Sequence, residues 1–97
     1  MCIRDRGYFA LEIKGRSMIN AGIMDGDIVV VKSQNYGENG QIVIALIGEE
    51  ATCKRLRFSG GHVLLMPEND EFDPIDGDEA LILGKVTAVI RLYEDKV

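Results

Sequence analysis

The chain has 97 residues, of which 46% are hydrophobic and 28% charged, and its formal net charge is −5. This size and composition are typical of one globular domain. The acidic balance argues against direct binding to nucleic acid, which depends on neutralising phosphates with Lys and Arg. No apolar run reaches the roughly 18 residues that a membrane-spanning helix needs.

The cysteine and histidine content bounds the chemistry further. Cys2 and Cys53 form no CxxC pair, and His62 is the one histidine. This set predicts no zinc site, no disulfide framework and no cofactor. A reduced, cytoplasmic setting is therefore the expected one.

The first seven residues, MCIRDRG, do not resemble the start of a domain. They contain no apolar core of the kind that a signal peptide has. We therefore predict a truncated or non-native leader over residues 1–7 and a single domain over residues 8–97.

Strand patterns follow one another along the rest of the chain. In order, they are YFALEIKG, IVVVKS, QIVIALIG, ATCKRLRF, HVLLMP and LILGKVTAVIRLY. The first alternates with period two, which puts Phe9, Leu11 and Ile13 on one face. Glycine-rich turn signals separate the strands, and MINAGI is long enough for only a single helical turn. This arrangement predicts an all-β domain.

The last two segments are less regular. PENDEFDPIDGDEA is long and acidic, and we predict a solvated excursion there. LILGKVTAVIRLY is either a strand pair or one long strand bent at Gly84. Its alternation puts Val86, Ala88, Ile90 and Leu92 on one face, and an unpaired apolar edge invites a partner strand. The alternative is an internal strand without a role in assembly.

Most catalytic constellations are excluded by the residues that are missing. A Ser-His-Asp triad needs an imidazole base, and His62 beside Gly60-Gly61 is typical of a surface turn. The nucleophile elbow G-x-S-x-G fails because position 19 is Ile. Phosphate-binding glycine motifs are absent from the sequence.

A serine with a lysine base remains as an option, because Ser-Lys pairs are a known variant of the triad. Period two puts Lys54 on the same strand face as Thr52 and Leu56. Burial on an apolar face lowers the pKa of a lysine, but a lysine at a sheet edge more often extends its amine into solvent. Cys53 is interpreted as a small packing residue. The residues alone do not decide whether Lys54 is a catalytic base.

Three stretches resemble the C-terminal domain of the LexA family of SOS-response repressors. They are GRSMINAGIMDGDIVVV, GQIVIALIGEEATCKRL and LLMPENDEFDPI. The resemblance runs from about Tyr8 to Leu92, and Ser17 and Lys54 stand at the spacing that the family pattern requires. UmuD-like polymerase subunits and phage repressors share the Ser-Met and lysine elements.

The resemblance implies a β-clip domain of short twisted strands with a Ser-Lys peptidase site. Ser17 would be the nucleophile, and Lys54, neutral when buried, the general base and later the acid. The backbone N–H groups of Arg16 and Ser17 would form the oxyanion hole. Met18 would line the cleft, and Thr52 would help to orient the amine. No metal site is implied.

The resemblance also implies partners. LexA proteins cut themselves at an Ala-Gly bond upstream of the serine, an activated RecA filament stabilises the cleavable form, and the domain forms a homodimer near its C-terminus. No Ala-Gly pair or helix-turn-helix precedes Ser17. We therefore expect the cleavage segment and the DNA-binding domain to be missing, so that this chain neither binds operator DNA nor cleaves itself.

Two other functions remain open at this stage. A UmuD-like peptidase subunit of a translesion polymerase would have a short tail upstream in place of a helix-turn-helix domain. A non-catalytic dimerisation module would keep Ser17 and Lys54 without using them. A signal-peptidase-like enzyme shares the chemistry but needs a membrane anchor, and none is visible in this sequence.

Overall fold

A computed structural model of the chain describes residues 7–93, which form seven strands and one 3₁₀ turn at Ile19–Ala21. The strands are β1 (Tyr8–Glu12), β2 (Ile28–Ser33), β3 (Ile42–Ile47), β4 (Glu50–Ser59), β5 (His62–Met66), β6 (Ile75–Asp76) and β7 (Leu81–Ile90). The predicted all-β class is confirmed. Within these residues, no helix has the length and apolar character to cross a membrane. Residues 1–6 of the predicted leader lie outside the described residues.

The strands form one antiparallel sheet in the order β1-β2-β7-β3-β4-β5-β6. The β3–β4 and β4–β5 hairpins turn where the sequence predicted them. Gly48, Gly60 and Gly61 occupy these turns with φ of 62°, 57° and 82°. Residues with a Cβ rarely adopt such angles, so glycine is the residue that these tight turns require.

Strand β7 has a partner strand on both sides only around Gly84 and Lys85, and over Val86–Ile90 one side is without a partner among the described residues, in agreement with the predicted free edge. It pairs with β2 on one side and with β3 on the other. The pairing with β2 skips Thr87, which makes a β-bulge, so that Val86 lies opposite Val31 whereas Ala88 lies opposite Val30. An extra residue reverses the alternation of faces. Val86 therefore packs on the core, and the predicted common face with Ala88 is wrong.

Gly84 lies where β7 has a partner strand on each side, opposite Ser33 of β2 and Ile44 of β3. A Cβ added to Gly84 would collide with the carbonyl oxygen of Lys32 and with the side chain of Val31. The close approach of β2 and β7 therefore requires glycine at this position.

Two clusters of buried side chains lie on the two faces of β3. One contains Met18, Ile23, Val29, Val31, Ile44 and Cys53. The other contains Val43, Ala45, Leu56 and Leu65. Phe9, Leu11 and Ile13 pack against the first cluster, which confirms the predicted apolar face of β1. Since a strand sends successive side chains to opposite faces, the run Val43–Ala45 supplies both clusters.

Candidate active site

The segment between β1 and β2 carries Ser17, and a short ladder closes its base. Ile13 N–H donates to the carbonyl of Asp27 at 2.7 Å, and Gly26 N–H donates to the carbonyl of Ile13 at 2.8 Å. Gly15 has a φ of 97°, and its N–H donates to Asp25 Oδ1 at 2.6 Å. These contacts bring the two ends of the segment together, so that Ser17 lies on a constrained loop.

An ion pair with a buried carboxylate fixes the second half of this segment. The side chain of Asp27 is 2% exposed and accepts hydrogen bonds from Arg91 at 2.7 and 2.8 Å and from Met24 N–H at 2.7 Å. The hydrogen bond from Arg91 holds the pKa of Asp27 at about 2. Arg91 also donates to the carbonyl of Gly22 at 2.8 Å. Asp27 thus bonds a turn amide and a side chain far along the chain, and the sequence did not indicate Arg91 as its partner.

The structure brings Ser17 and Lys54 together. Lys54 Nζ lies 2.9 Å from Ser17 Oγ. The two residues do not come from neighbouring strands, because β2, β7 and β3 separate β1 from β4 in the sheet. Ser17 also lies beyond the end of β1 at Glu12. The end of β1 and the start of β4 nevertheless line the same cleft, and the loop after β1 brings the serine to Lys54.

Lys54 is held in an almost solvent-free position, with 7% of its surface exposed. Besides Ser17, its Nζ contacts Thr52 Oγ1 at 2.7 Å and the carbonyl oxygen of Cys53 at 3.2 Å. Within residues 7–93, Lys54 takes part in no salt bridge. Burial lowers the pKa of Lys54, and the nearby charges of Cys53 and Glu50 oppose this shift without cancelling it.

The three oxygen contacts of Nζ fit a protonated amine, which can donate to all three, and they also fit a neutral amine. A neutral amine has two N–H donors and one lone pair. The carbonyl of Cys53 can only accept, and Thr52 Oγ1 is the shorter of the two remaining contacts. When the amine is neutral and both of its N–H groups are directed at these oxygens, the lone pair of Nζ faces Ser17 Oγ–H. The arrangement can therefore remove the serine proton.

Cys53 is the neighbouring potential nucleophile, and its surroundings do not favour that chemistry. It packs in the first core cluster and is 7% exposed. Burial raises the pKa of its thiol to about 11, although the charge of Lys54 lowers it in part. Because the thiolate is the reactive form, Cys53 is unreactive at neutral pH. Its predicted packing role is confirmed.

A cleft of about 390 Å³ opens beside the Ser17–Lys54 pair. The end of β1 forms one wall and the start of β4 forms the other, where Glu50, Ala51, Thr52 and Cys53 lie. Met18 and Thr52 both line this cleft. Met18 is also 2% exposed and belongs to the core, so it ties the serine loop to the domain.

Hydrogen bonds from the segment after β5 hold the backbone beside the serine. Glu68 N–H donates to the carbonyl of Ser17 at 2.7 Å, and Asn69 Nδ2 donates to the carbonyl of Arg16 at 2.8 Å. Within residues 7–93, the N–H groups of Arg16 and Ser17 donate no hydrogen bond. They are thus available to a ligand.

The start of the acidic segment is therefore not the solvated excursion that the sequence predicted. Arg55 Nε donates to Glu68 Oε2 at 2.6 Å, which ties this segment to β4 as well. The acidic composition gave no signal of these contacts, because they join residues far apart in the chain.

The remaining candidates lie elsewhere. His62 is exposed and pairs with Asp78 at 2.8 Å, a contact that raises the pKa of the imidazole. Neither residue lines the cleft beside Ser17. Among the residues that the structure describes, no group of three or more His, Cys, Asp or Glu side chains is arranged to hold a metal ion.

A serine hydroxyl against a buried lysine, at a cleft in an all-β domain, is the arrangement of the Ser-Lys class of hydrolases. The chain belongs to the peptidase S24-like family, whose model matches residues 1–87.

Curated relatives give the same affiliation. The chain is 60% identical over 83 residues to LexA repressor 1 of Nocardia farcinica, covering 86% of this chain and 38% of that protein. It is 54% identical over 83 residues to the LexA repressor of Acidothermus cellulolyticus, covering 86% and 30%. It is 52% identical over 89 residues to the LexA repressor of a Nocardioides species, covering 92% and 36%. The resemblance to a LexA C-terminal domain is thus confirmed, and the chain spans about a third of the length of these relatives.

Proposed function

We propose that residues 8–97 are the self-cleaving serine peptidase and dimerisation domain of a LexA-like repressor of the SOS response. In this proposal, Ser17 is the nucleophile and Lys54 is the general base. The substrate is an Ala-Gly peptide bond in a segment of the repressor that enters the cleft. The contact between Lys54 Nζ and Ser17 Oγ at 2.9 Å carries the proposal, because the lysine is buried and has no carboxylate partner among the described residues.

The first half of the reaction follows from this contact. Ser17 Oγ attacks the scissile carbonyl carbon while its proton passes to Lys54 Nζ. The carbonyl oxygen becomes an oxyanion, to which the N–H groups of Arg16 and Ser17 donate hydrogen bonds. Lys54 then gives its proton to the leaving amine as the C–N bond breaks, and an acyl-enzyme on Ser17 remains.

The second half repeats these transfers with water. Lys54, again neutral, takes a proton from a water molecule as the water oxygen attacks the acyl carbon. The ester bond to Ser17 Oγ breaks, and the proton returns from Nζ to Oγ. Each oxyanion donor contributes about 2.7–4 kcal/mol in comparable hydrolases. The reaction needs no metal or other cofactor.

The partners belong to the same proposal. An activated RecA filament would favour the state in which the cleavage segment occupies the cleft, a shift of population. DNA contacts would come from a separate helix-turn-helix domain, since the described domain is acidic, and the repressor would act in the cytoplasm. A homodimer is supported by the end of β7. Within the described residues, Val86–Ile90 pairs with β2 on one side only, and Val89, Leu92 and Tyr93 are exposed.

Cleavage in trans tests the peptidase function. The protein is mixed with a peptide that carries a LexA-type Ala-Gly segment, and the products are followed by mass spectrometry from neutral pH to about pH 10. We expect cleavage at the Ala-Gly bond by the unaltered protein and none by Ser17→Ala. Because Ser17 is half-buried in a loop, this substitution is expected to leave the fold intact, which circular dichroism checks.

Two results would go against the proposal. Cleavage that persists in folded Ser17→Ala would exclude this serine as the nucleophile. Absence of cleavage by the unaltered, folded protein, also when the segment is fused to its N-terminus, would favour a non-catalytic dimerisation module.

A further inference from the structure

Two successive carbonyl groups at the serine are held by two successive residues of the segment that follows β5. The carbonyl of Arg16 accepts a hydrogen bond from Asn69 Nδ2 at 2.8 Å. The carbonyl of Ser17 accepts one from the N–H of Glu68 at 2.7 Å. One of these donors is a side chain, so it can be removed by substitution without changing the backbone.

The planarity of the peptide bond gives the Asn69 contact a consequence for the proposed oxyanion hole. The carbonyl of Arg16 and the N–H of Ser17 belong to the same trans peptide unit, and they point in opposite directions. A hydrogen bond that fixes the direction of the Arg16 carbonyl therefore also fixes the direction of the Ser17 N–H. An oxyanion donor is effective only when it is already aimed at the oxyanion.

The side chain of Asn69 is itself oriented by its neighbours. Its Oδ1 accepts a hydrogen bond from the N–H of Glu71 at 2.9 Å, which leaves Nδ2 directed at Arg16. The preceding residue anchors the loop at two further points. The carbonyl of Glu68 accepts from Asn20 N–H at 2.8 Å, and its carboxylate pairs with Arg55 at 2.6 Å. The donor is thus fixed relative to both the serine loop and β4.

We propose that Asn69 is a positioning residue that aligns the Ser17 N–H as an oxyanion donor by holding the carbonyl of Arg16. This inference rests on the proposed peptidase function and adds a residue from a segment outside the Ser-Lys pair. Asn69 touches neither the substrate nor the reacting atoms. It acts on the rate of bond cleavage through the orientation of one peptide unit.

Two substitutions at this position test the inference in the trans-cleavage assay. Asn69→Asp keeps the Oδ1 acceptor for Glu71 N–H and replaces the Nδ2 donor by an oxygen that repels the Arg16 carbonyl. Asn69→Ser removes the same donor without adding a charge. Asn39→Asp is the matched control, because Asn39 Oδ1 also accepts a backbone N–H, that of Phe58 at 2.9 Å, on an exposed loop that does not line the cleft.

Both Asn69 variants should lose kcat by about tenfold or more, because complete removal of one oxyanion donor costs about 10²–10³ in kcat. We expect KM, the midpoint of the pH–rate profile and the melting temperature to stay close to those of the unaltered protein. Asn39→Asp should keep full kcat. The midpoint of the pH–rate profile reports the pKa of the Lys54 amine. A residue that only positions the Arg16 carbonyl should not change that pKa.

The remaining outcomes each overturn the inference. An unchanged kcat in Asn69→Asp and Asn69→Ser shows that the contact does not align the donor. A loss of kcat that comes with a lower melting temperature or a shifted midpoint shows a structural role instead. If the unaltered protein cleaves no segment in trans or in fusion, the proposed function itself fails. If the unaltered protein and both Asn69 variants are equally active, only the inference about Asn69 fails.

Discussion

Replacing Lys54 with methionine will abolish cleavage of an Ala-Gly peptide at every pH from neutral to about 10. We expect a loss of at least about 10⁴-fold in kcat, the scale seen when one member of a nucleophile–base pair is removed. Methionine has nearly the length of lysine, but its terminal methyl group can neither accept nor donate the proton. The rate is measured by following peptide products with and without the substitution.

The unaltered protein should show a rate that depends on pH in one direction. Lys54 is active when neutral, so the rate rises with pH and becomes constant above the pKa of its amine. Burial lowers that pKa from the ordinary 10.5, so the midpoint of the rise should lie below pH 10.5. A rate that falls as pH rises would contradict the assignment of Lys54 as the base.

Two controls separate loss of chemistry from loss of folding. Lys54→Met removes an amine whose burial costs free energy in the charged form, so it should not lower the free energy of unfolding at neutral pH. Lys32→Met makes the same change on an exposed lysine, whose amine lies 5.5 Å from the ring centre of Tyr8. It should retain the activity of the unaltered protein.

Gly84→Ala should give the largest loss of stability from a single added methyl group. The new Cβ would meet the backbone carbonyl of Lys32 and the fully buried side chain of Val31. Neither can move without separating β2 from β7, and overpacking of this kind costs about 3 kcal/mol. Urea denaturation followed by circular dichroism measures the free energy of unfolding.

Ala88→Val is the matched control for Gly84→Ala. It enlarges an exposed side chain on the same strand, and valine favours a strand conformation. We expect a change in the free energy of unfolding within about 0.5 kcal/mol. A Gly84→Ala variant that is as stable as this control would show that the two strands can move apart without cost.

Local patterns were sufficient to predict most of the strands. Period-two alternation and glycine turns are properties of a few neighbouring residues, so β1 and the hairpins around β4 could be read from the sequence. The contact between Ser17 and Lys54 could not be read in this way. It followed from the family resemblance. Three other strands separate β1 from β4 in the sheet, and patterns among neighbouring residues do not predict contacts over such a distance.

The position of β7 depends on features that the sequence does not display. A bulge at Thr87 is a single extra residue, and it reverses which side chains face the core. The alternation of LILGKVTAVIRLY therefore predicted the wrong face for Ala88. Pairing of β7 with both β2 and β3 is a long-range choice that the apolar character of the strand allows but does not specify.

The contacts that hold the serine loop were also hidden in the sequence. Asn69 and Arg91 are polar residues in segments whose composition is typical of a surface. Their partners, Arg16 and Asp27, are more than fifty positions away. Hydrogen bonds between such distant positions arise only once the sheet has brought the segments together.

Covalent labelling of the serine is the most direct test of whether Lys54 activates Ser17. The protein is incubated with a fluorophosphonate, which reacts with activated serine hydroxyl groups, and the modified residue is located by mass spectrometry. We expect one adduct on Ser17, formed at a rate that rises with pH to a plateau and absent from Lys54→Met. A folded protein that takes up label on another residue, or labels equally well without Lys54, would contradict the claim that Lys54 activates Ser17.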